Sequence, residues 1–151
     1  MPQSLSHVYI HLVFSTKNRY PFITDDIAKE LYPYMAKVLY DECRSPAKII
    51  GGMDDHSHIL LNLARTISLA NLVEAVKTSS SKWMKTKGDD LRDFSWQAGY
   101  GAFSVSQSGL STVHNYIVNQ KEHHHGKDFK DEFRGLLRKH DLTWDERYVW
   151  D

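Results

Sequence analysis

Residues 51–61 of the chain read Gly51-Gly52-Met53-Asp54-Asp55-His56-Ser57-His58-Ile59-Leu60-Leu61. The glycines and aspartates predict a turn, and the apolar residues that follow predict a strand beginning at His56. Side chains alternate between the two faces of a strand, so His56 and His58 share one face. The spacing therefore allows both imidazoles to approach one cation, while Ile59 and Leu61 point into a core on the opposite face.

Further strands are predicted on either side of this histidine strand. Residues 7–15 alternate between apolar and polar side chains, which is typical of a half-buried strand. Its apolar face carries Val8, Ile10, Leu12 and Phe14. Residues 47–53 predict a strand that runs into the glycine turn. Residues 94–106 combine aromatic residues with glycines and predict one or two short strands with a bend.

Two helices are predicted between these strands. Thr24 precedes two aspartates, and acidic residues are favourable at the positive end of a helix. Pro33 lies within the apolar stripe of this helix, so we expect it to kink the helix or divide it. Ser68 is the predicted N-cap of a second helix, which ends before Gly88.

Helical patterns also dominate the last third of the chain. A helix capped by Ser106 or Ser108 carries Tyr116 and Gln120, which lie one turn apart and therefore on one face. A final amphipathic helix begins near Phe129. Residues 144–151 include three aromatic residues, and we expect this segment to dock on the body of the protein rather than to form a free tail.

The order of these elements, β-α-β-β-α-β followed by helices, predicts an α+β fold. We expect a ferredoxin-like sandwich, in which an antiparallel sheet has helices on one face, plus a C-terminal helical extension. Residues 1–151 are expected to form a single domain. Its core covers about residues 5–125, and the C-terminal helix and aromatic tail occupy residues 126–151.

Composition is ordinary for a globular protein, with 41% hydrophobic and 25% charged residues. No apolar run approaches the length of a transmembrane helix, and the N-terminus lacks a signal-peptide pattern. Cys43 is the only cysteine, which excludes an intramolecular disulfide. These features favour a cytoplasmic protein.

Charge is balanced overall, with 19 basic and 19 acidic side chains, which argues against a strongly basic nucleic-acid-binding protein. It is unevenly distributed, however. Residues 1–87 carry 11 Lys and Arg against 8 Asp and Glu, and residues 88–151 carry 8 against 11. Within residues 65–87 five basic residues face a single acidic one, and they form either a local basic patch or a solvated helix face. The candidate DNA-binding residues are Lys17, Arg19, Lys77, Lys82 and Lys85.

The chemistry of the two histidines depends on what completes their site. A divalent cation needs about four to six ligands, and the amide oxygen of Gln120 offers a third beside His56 and His58. Nitrogen and oxygen ligands permit Mg²⁺ or Mn²⁺ without selecting them over Zn²⁺. His11, on the polar face of the first strand, either joins this group or is a spectator.

Tyr116 is a candidate nucleophile for phosphoryl transfer. A phenol has a pKa of ~10 and needs a cation, a metal-bound water or a histidine to draw off its proton. Attack on a phosphodiester would preserve the bond energy in a tyrosine ester, so that a strand can be rejoined without ATP. Two structural alternatives remain open. Tyr116 is then a half-buried helix tyrosine, and His56 and His58 then belong to a hydrogen-bonded network.

Four segments together resemble the single-tyrosine HUH transposases of the insertion-sequence 200/605 type and the related repeat-associated tyrosine transposases. These segments are residues 7–17, 51–61, 96–106 and 116–120. The resemblance implies that His56, His58 and Gln120 hold a divalent metal, Mg²⁺ or Mn²⁺. It further implies that Tyr116 attacks single-stranded DNA and forms a 5′-phosphotyrosine link with release of a free 3′-OH.

The same resemblance implies a transposase that recognises DNA hairpins and acts as a homodimer. Each active site would then combine the histidines of one subunit with the tyrosine helix of the other. Two features depart from the family pattern: Ser57 replaces a bulky hydrophobic residue, and the C-terminal tail is acidic and aromatic. We expect the Ser57 side chain to face away from the metal.

Three alternative functions remain open at this point. The first is a domesticated, repeat-associated endonuclease that acts on chromosomal hairpins. The second is a non-catalytic module that binds single-stranded nucleic acid through aromatic residues on its sheet. The third is a metallohydrolase that uses water, in which Tyr116 has no chemical role.

Overall fold

The structure, a computed structural model, describes residues 2–123 and 127–151. Its strands are β1 (Tyr9–Ser15), β2 (Ala47–Met53), β3 (His56–Asn62) and β4 (Gly101–Val105). Its α-helices are α1 (Asp25–Asp41), α2 (Leu69–Lys85), α3 (Leu110–Val118), α4 (Gln120–His123) and α5 (Phe129–Lys139). Short 3-10 turns occupy Lys17–Arg19, Asp89–Leu91 and Gln107–Gly109.

The four strands form one antiparallel sheet in the order β2-β3-β1-β4. Strands β3 and β1 are central, and their register places Val13 opposite His58. The register of β1 with β4 places His11 opposite Phe103. Directly opposed residues share a face, so these four side chains and His56 lie on one side of the sheet.

Helices α1 and α2 cover the other side, as the predicted α+β sandwich requires. The sheet contributes Ile10, Leu12, Phe14, Ile59 and Leu61 to this core. The caps predicted for α1 and α2 are present, because Thr24 Oγ1 accepts a hydrogen bond from Ile27 N and Ser68 Oγ accepts one from Asn71 N. The cap predicted for the tyrosine helix is wrong, since Gly109 is the N-cap of α3 and Ser106 caps the 3-10 turn before it. Pro33 lies within a helix that runs without division from Asp25 to Asp41. No helix among the described residues combines the length and apolarity needed to cross a membrane.

The histidine side of the sheet is covered by α5 and the C-terminal tail. A second apolar cluster joins five buried residues to aromatic and aliphatic residues of the tail. Its buried members are Val13, Phe103, Phe129, Phe133 and Leu137, and Trp144, Val149 and Trp150 pack against them. The expected docking of the tail is thus confirmed. The expectation of a half-buried first strand is wrong, since all seven residues of β1 are buried between the two layers.

Helix α3 packs closely against β2, and Gly51 makes this approach possible. A Cβ atom at Gly51 would lie 2.9 Å from both Cγ2 and the backbone oxygen of Ile117. Ile117 follows Tyr116 directly in α3 and is itself buried. The glycine therefore fixes how near the tyrosine helix sits to the sheet.

A pair of glycine substitutions is expected to have opposite effects on stability. Gly51→Ala should lower the free energy of unfolding by about 1–3 kcal/mol, because the helix backbone must move to admit the methyl group. Gly135→Ala in α5 should raise it by about 0.5–1 kcal/mol, because an added Cβ there meets nothing within 4 Å and alanine favours the helix. Urea unfolding of both variants checks the prediction. Equal shifts of one sign would contradict it.

Candidate active site

Strand β3 places the two histidines side by side beneath α3 and α5. Both side chains are fully buried. The Nδ1 atom of His56 lies 2.7 Å from Asp55 Oδ1, and the Nδ1 atom of His58 lies 2.8 Å from His11 Nε2. Such outer contacts fix the orientation of each ring and leave Nε2 as the atom that faces the site. His11 is thus part of the group rather than a spectator.

Glu132 of α5 joins the site, although it is not among the residues predicted from the sequence. Its Oε1 lies 2.9 Å from His58 Nε2 and 3.2 Å from His56 Nε2. Its Oε2 accepts hydrogen bonds from the Tyr116 hydroxyl at 2.6 Å and from Gln120 Nε2 at 3.2 Å. One carboxylate therefore contacts all four residues that the sequence proposed for the site.

A sequence signal for Glu132 existed. The residue lies three positions after Phe129 and directly before Phe133, within the apolar stripe of an amphipathic helix. An acidic residue on the buried face of a helix is rare unless it is paired or binds a metal. The periodicity of α5 therefore predicts a buried carboxylate, but it does not say which partners that carboxylate meets.

The donor set fits a divalent metal. Ligand atoms of His56, His58 and Glu132 all lie within 4.8 Å of one another. The amide oxygen of Gln120 lies 3.1 Å from His56 Nε2. Two imidazole nitrogens, a carboxylate oxygen and an amide oxygen form a mixed set that suits Mn²⁺, Mg²⁺ or Zn²⁺, in agreement with the range expected from the sequence.

Charge is distributed unequally over this cluster. Burial lowers the pKa of His56, but the carboxylates of Asp55 and Glu132 outweigh it and raise that pKa to about 9. Burial acts to raise the pKa of Glu132, but hydrogen bonds from His56 and His58 hold it well below its usual range. Burial and the neighbouring His58 lower the pKa of His11 to about 3. The centre is thus an anionic carboxylate held by histidines, with a neutral His11 behind them.

Tyr116 lies at the open side of the cluster. Its ring stands edge-on to His58 and His11, at centroid distances of 5.7 Å and 6.2 Å. Burial and the negative charge of Glu132 raise the pKa of the phenol, which is therefore protonated and donates to the carboxylate. The structure brings Tyr116, His56, His58 and Gln120 together within one chain, whereas the family resemblance implied two subunits. Ser57 is buried on the opposite side of β3, where it pairs with Phe14.

The five candidate DNA-binding residues fall into different environments. Lys82 and Lys85 are exposed on α2 and border a groove that Lys77, Trp96 and Tyr100 also line. The Lys77 ammonium donates to the backbone oxygens of Gln97, Ala98 and Gly99 at 2.8, 3.3 and 2.6 Å. Burial lowers its pKa to about 8. Its contacts thus hold the segment before β4 in place.

The other two candidates follow β1. Lys17 is exposed. The Arg19 guanidinium donates to the backbone oxygen of Trp150 at 2.8 Å and lies 6.0 Å from the centre of the Trp150 ring. Arg19 thus fastens the C-terminal tail to the turn after β1. Because this tail follows α5 in the chain, the contact also helps to hold α5 over the histidines.

Comparisons with known proteins bear on the family and the fold. A family model described as "Transposase IS200 like" matches residues 4–120, a range that includes both histidines, Tyr116 and Gln120 but ends before α5. No curated protein matches the chain. A solved structure from Deinococcus radiodurans that is assigned as a transposase shares 22% identity and a TM-score of 0.60, and the match covers 80% of this chain and 95% of that one.

A second solved structure is a REP-associated tyrosine transposase bound to a REP hairpin. It shares 12% identity and a TM-score of 0.60, and the match covers 96% of this chain and 90% of that one. At such low identity both structures show the fold alone. The α+β fold with its four-stranded antiparallel sheet is therefore that of these transposases.

Lys77→Met is expected to destabilise the protein. The substitution keeps the length of the side chain but removes hydrogen bonds to three backbone oxygens, so the free energy of unfolding should fall by about 2 kcal/mol. The matched control is Lys82→Met on the exposed side of the same helix, which should change it by less than about 0.5 kcal/mol. Thermal or urea unfolding compares the two. Equal effects would show that the Lys77 contacts add no stability.

Glu132→Gln is expected to weaken the binding of Mn²⁺ by at least about tenfold. The substitution keeps the shape of the side chain and removes the only carboxylate that contacts both His56 and His58 among the described residues. Isothermal titration with MnCl₂ measures the affinity without any need for activity. Glu122→Gln, an exposed change in α4, is the control. Unchanged affinity in Glu132→Gln would exclude this carboxylate as a ligand.

Proposed function

The chain belongs to the family of IS200-like transposases, and we propose that it cleaves and rejoins single-stranded DNA through a tyrosine nucleophile. The observation that carries the proposal is the convergence of Tyr116, His56, His58 and Gln120 on one buried carboxylate. A hydroxyl nucleophile beside a cluster of divalent-metal ligands suits phosphoryl transfer.

We further propose that His56, His58 and Glu132 hold a divalent cation, Mg²⁺ or Mn²⁺, with the amide oxygen of Gln120 as a further ligand. The mixed nitrogen and oxygen donors support this, as do Asp55 and His11, which fix the two rings from behind. The cation, when bound, would act as a Lewis acid on an oxygen of the scissile phosphate.

The covalent step follows from the position of Tyr116. Its phenolic oxygen forms a bond to phosphorus, and the bond between phosphorus and the 3′-oxygen of the preceding nucleotide breaks. Glu132 Oε2 accepts the hydrogen bond of the phenol at 2.6 Å and so orients the hydroxyl. The phenol proton passes to water, and the departing 3′-oxygen takes up a proton from water. The products are a 5′-phosphotyrosine ester and a free 3′-OH. Because the ester keeps the phosphodiester bond energy, attack by a 3′-OH can reverse the step and rejoin a strand.

Single-stranded DNA with hairpin ends is the proposed substrate. The structural neighbour bound to a REP hairpin supports it, since that protein has the same fold. In this chain the groove beside α2 carries exposed Lys82 and Lys85 together with Trp96 and Tyr100 in its lining. Lysines can neutralise backbone phosphates, and aromatic rings can stack with unpaired bases. Lys17 lies outside the lining of this groove and remains a separate candidate contact.

Homodimerisation and a cytoplasmic location stay predictions from the sequence. The histidines and the tyrosine helix meet within one chain, so a second copy is not needed to assemble the site described here. Light scattering on the purified protein gives its mass in solution and would decide whether it is a dimer.

Tyr116→Phe is expected to abolish the covalent adduct while leaving the affinity for DNA within about twofold. The change removes the nucleophilic oxygen but keeps the ring that contacts His58 and His11. Labelled hairpin oligonucleotides are incubated with protein and Mn²⁺ and then resolved on denaturing gels. A shifted, protease-sensitive band in the wild-type lane, absent with chelator, is the expected signal.

Tyr148→Phe, an exposed change in the tail, is the matched control and should form the adduct normally. Cleavage by Tyr116→Phe would favour a hydrolase that uses water. Binding by the wild-type protein without any cleavage would favour the non-catalytic module instead.

A further inference from the structure

A cavity of about 570 Å³ lies between α3 and α5, next to the proposed nucleophile. Its volume is within the range of about 300–1,000 Å³ that is typical of small-ligand sites. Tyr116 and Glu132 both border it, as does His11. His56 and His58 are fully buried and do not line it. The cavity therefore opens directly onto the hydrogen bond between the phenol and the carboxylate.

The chemistry of the cavity wall suits a nucleotide. The side chains of Lys139 and Thr112 border it, and the Lys139 ammonium makes no hydrogen bond or ion pair within the described part of the chain. The imidazole of His140 also lines the cavity and stacks on Phe103, with ring centroids 4.5 Å apart. The Lys139 cation can contact the phosphate of a nucleotide, and the Thr112 hydroxyl can hydrogen-bond with the edge of its base. The planar ring of His140 can stack on the flat face of that base.

Gly135 preserves the space in this cavity. It lies in the middle of α5, where glycine costs helix stability relative to alanine, and its backbone does not adopt a positive φ that would require glycine. A Cβ atom there would meet nothing within 4 Å. Neither packing nor backbone conformation explains the glycine. Its effect is to leave the cavity wall open opposite α3.

From these observations we propose that the cavity between α3 and α5 receives one unpaired nucleotide of the DNA strand, the one adjoining the scissile phosphate. The inference rests on the proposed function and adds a binding site to it. When the scissile phosphate lies at the Tyr116 hydroxyl, the nucleotide attached to that phosphate lies beside it. The cavity that borders the hydroxyl can accept this nucleotide. Lys139 and His140 then contact the nucleotide, and the size of residue 135 limits which base enters.

Photochemical cross-linking tests the site without relying on catalysis. Hairpin oligonucleotides with single-stranded flanks carry 5-iododeoxyuridine at one flank position at a time. They are incubated with Mn²⁺ and the Tyr116→Phe variant, which should bind the DNA without cleaving it. After irradiation, mass spectrometry identifies the peptides that are joined to DNA. We expect one flank position to cross-link to residues of α3 or α5 that border the cavity.

Substitutions at Gly135 provide the matched controls. Gly135→Leu, which fills the cavity, should reduce this cross-link at least tenfold and leave affinity for the hairpin stem within twofold. Gly135→Ala adds only a methyl group and should stay within threefold of the glycine protein. Both variants should melt at or above the temperature of the glycine protein, which shows that any loss is not due to misfolding.

The outcomes separate the two proposals. Cross-links confined to other surfaces, or an undiminished cross-link in Gly135→Leu, would overturn the cavity site. If the wild-type protein still forms the tyrosine adduct in that case, the proposed function stands alone. A cavity cross-link without any adduct would support the nucleotide site and overturn the tyrosine chemistry. Failure to bind any oligonucleotide of the set would overturn both.

Discussion

The carboxylate of Glu132 is the point on which the rest of the site depends. A buried anion is costly, and removal of one partner from a buried charged pair is strongly destabilising. Here the cost is offset by Nε2 of two histidines, a phenol and an amide. These partners come from β3, α3 and the start of α4. One charge therefore ties the C-terminal helix to the tyrosine helix and to the centre of the sheet.

The apolar layer around this charge explains why α5 can supply it. Phe129 and Phe133 flank Glu132 on the helix and pack against Val13 and Phe103 of the sheet. The tail extends this layer with Trp150, whose backbone oxygen is held by Arg19. The segment after residue 126 is therefore a structural part of the site, which agrees with the burial of every residue of β1.

Rigidity on one side of the site contrasts with open space on the other. Behind the histidines, Asp55 and His11 fix both rings, and Gly51 sets the approach of α3 to the sheet. In front of Tyr116 there is a cavity, bordered by a glycine where a helix would ordinarily carry a side chain. Fixed ligands and an open approach are what a site needs when a flexible strand must reach a preorganised group.

Local sequence patterns specify most of the fold and four residues of the site, namely His56, His58, Tyr116 and Gln120. Period-two alternation in residues 7–15 and 56–62 specified which side chains of β1 and β3 face α1 and α2, and it put His56 and His58 on one face. Helical spacing put Tyr116 next to Gln120. These are local patterns, and they hold because strand and helix geometry fix the directions of neighbouring side chains. Tertiary packing, by contrast, is what brings Glu132 to these residues and Lys77 to its three backbone oxygens. Those contacts connect residues 74 and 20 positions apart, and their formation depends on how whole layers pack, which no local spacing encodes.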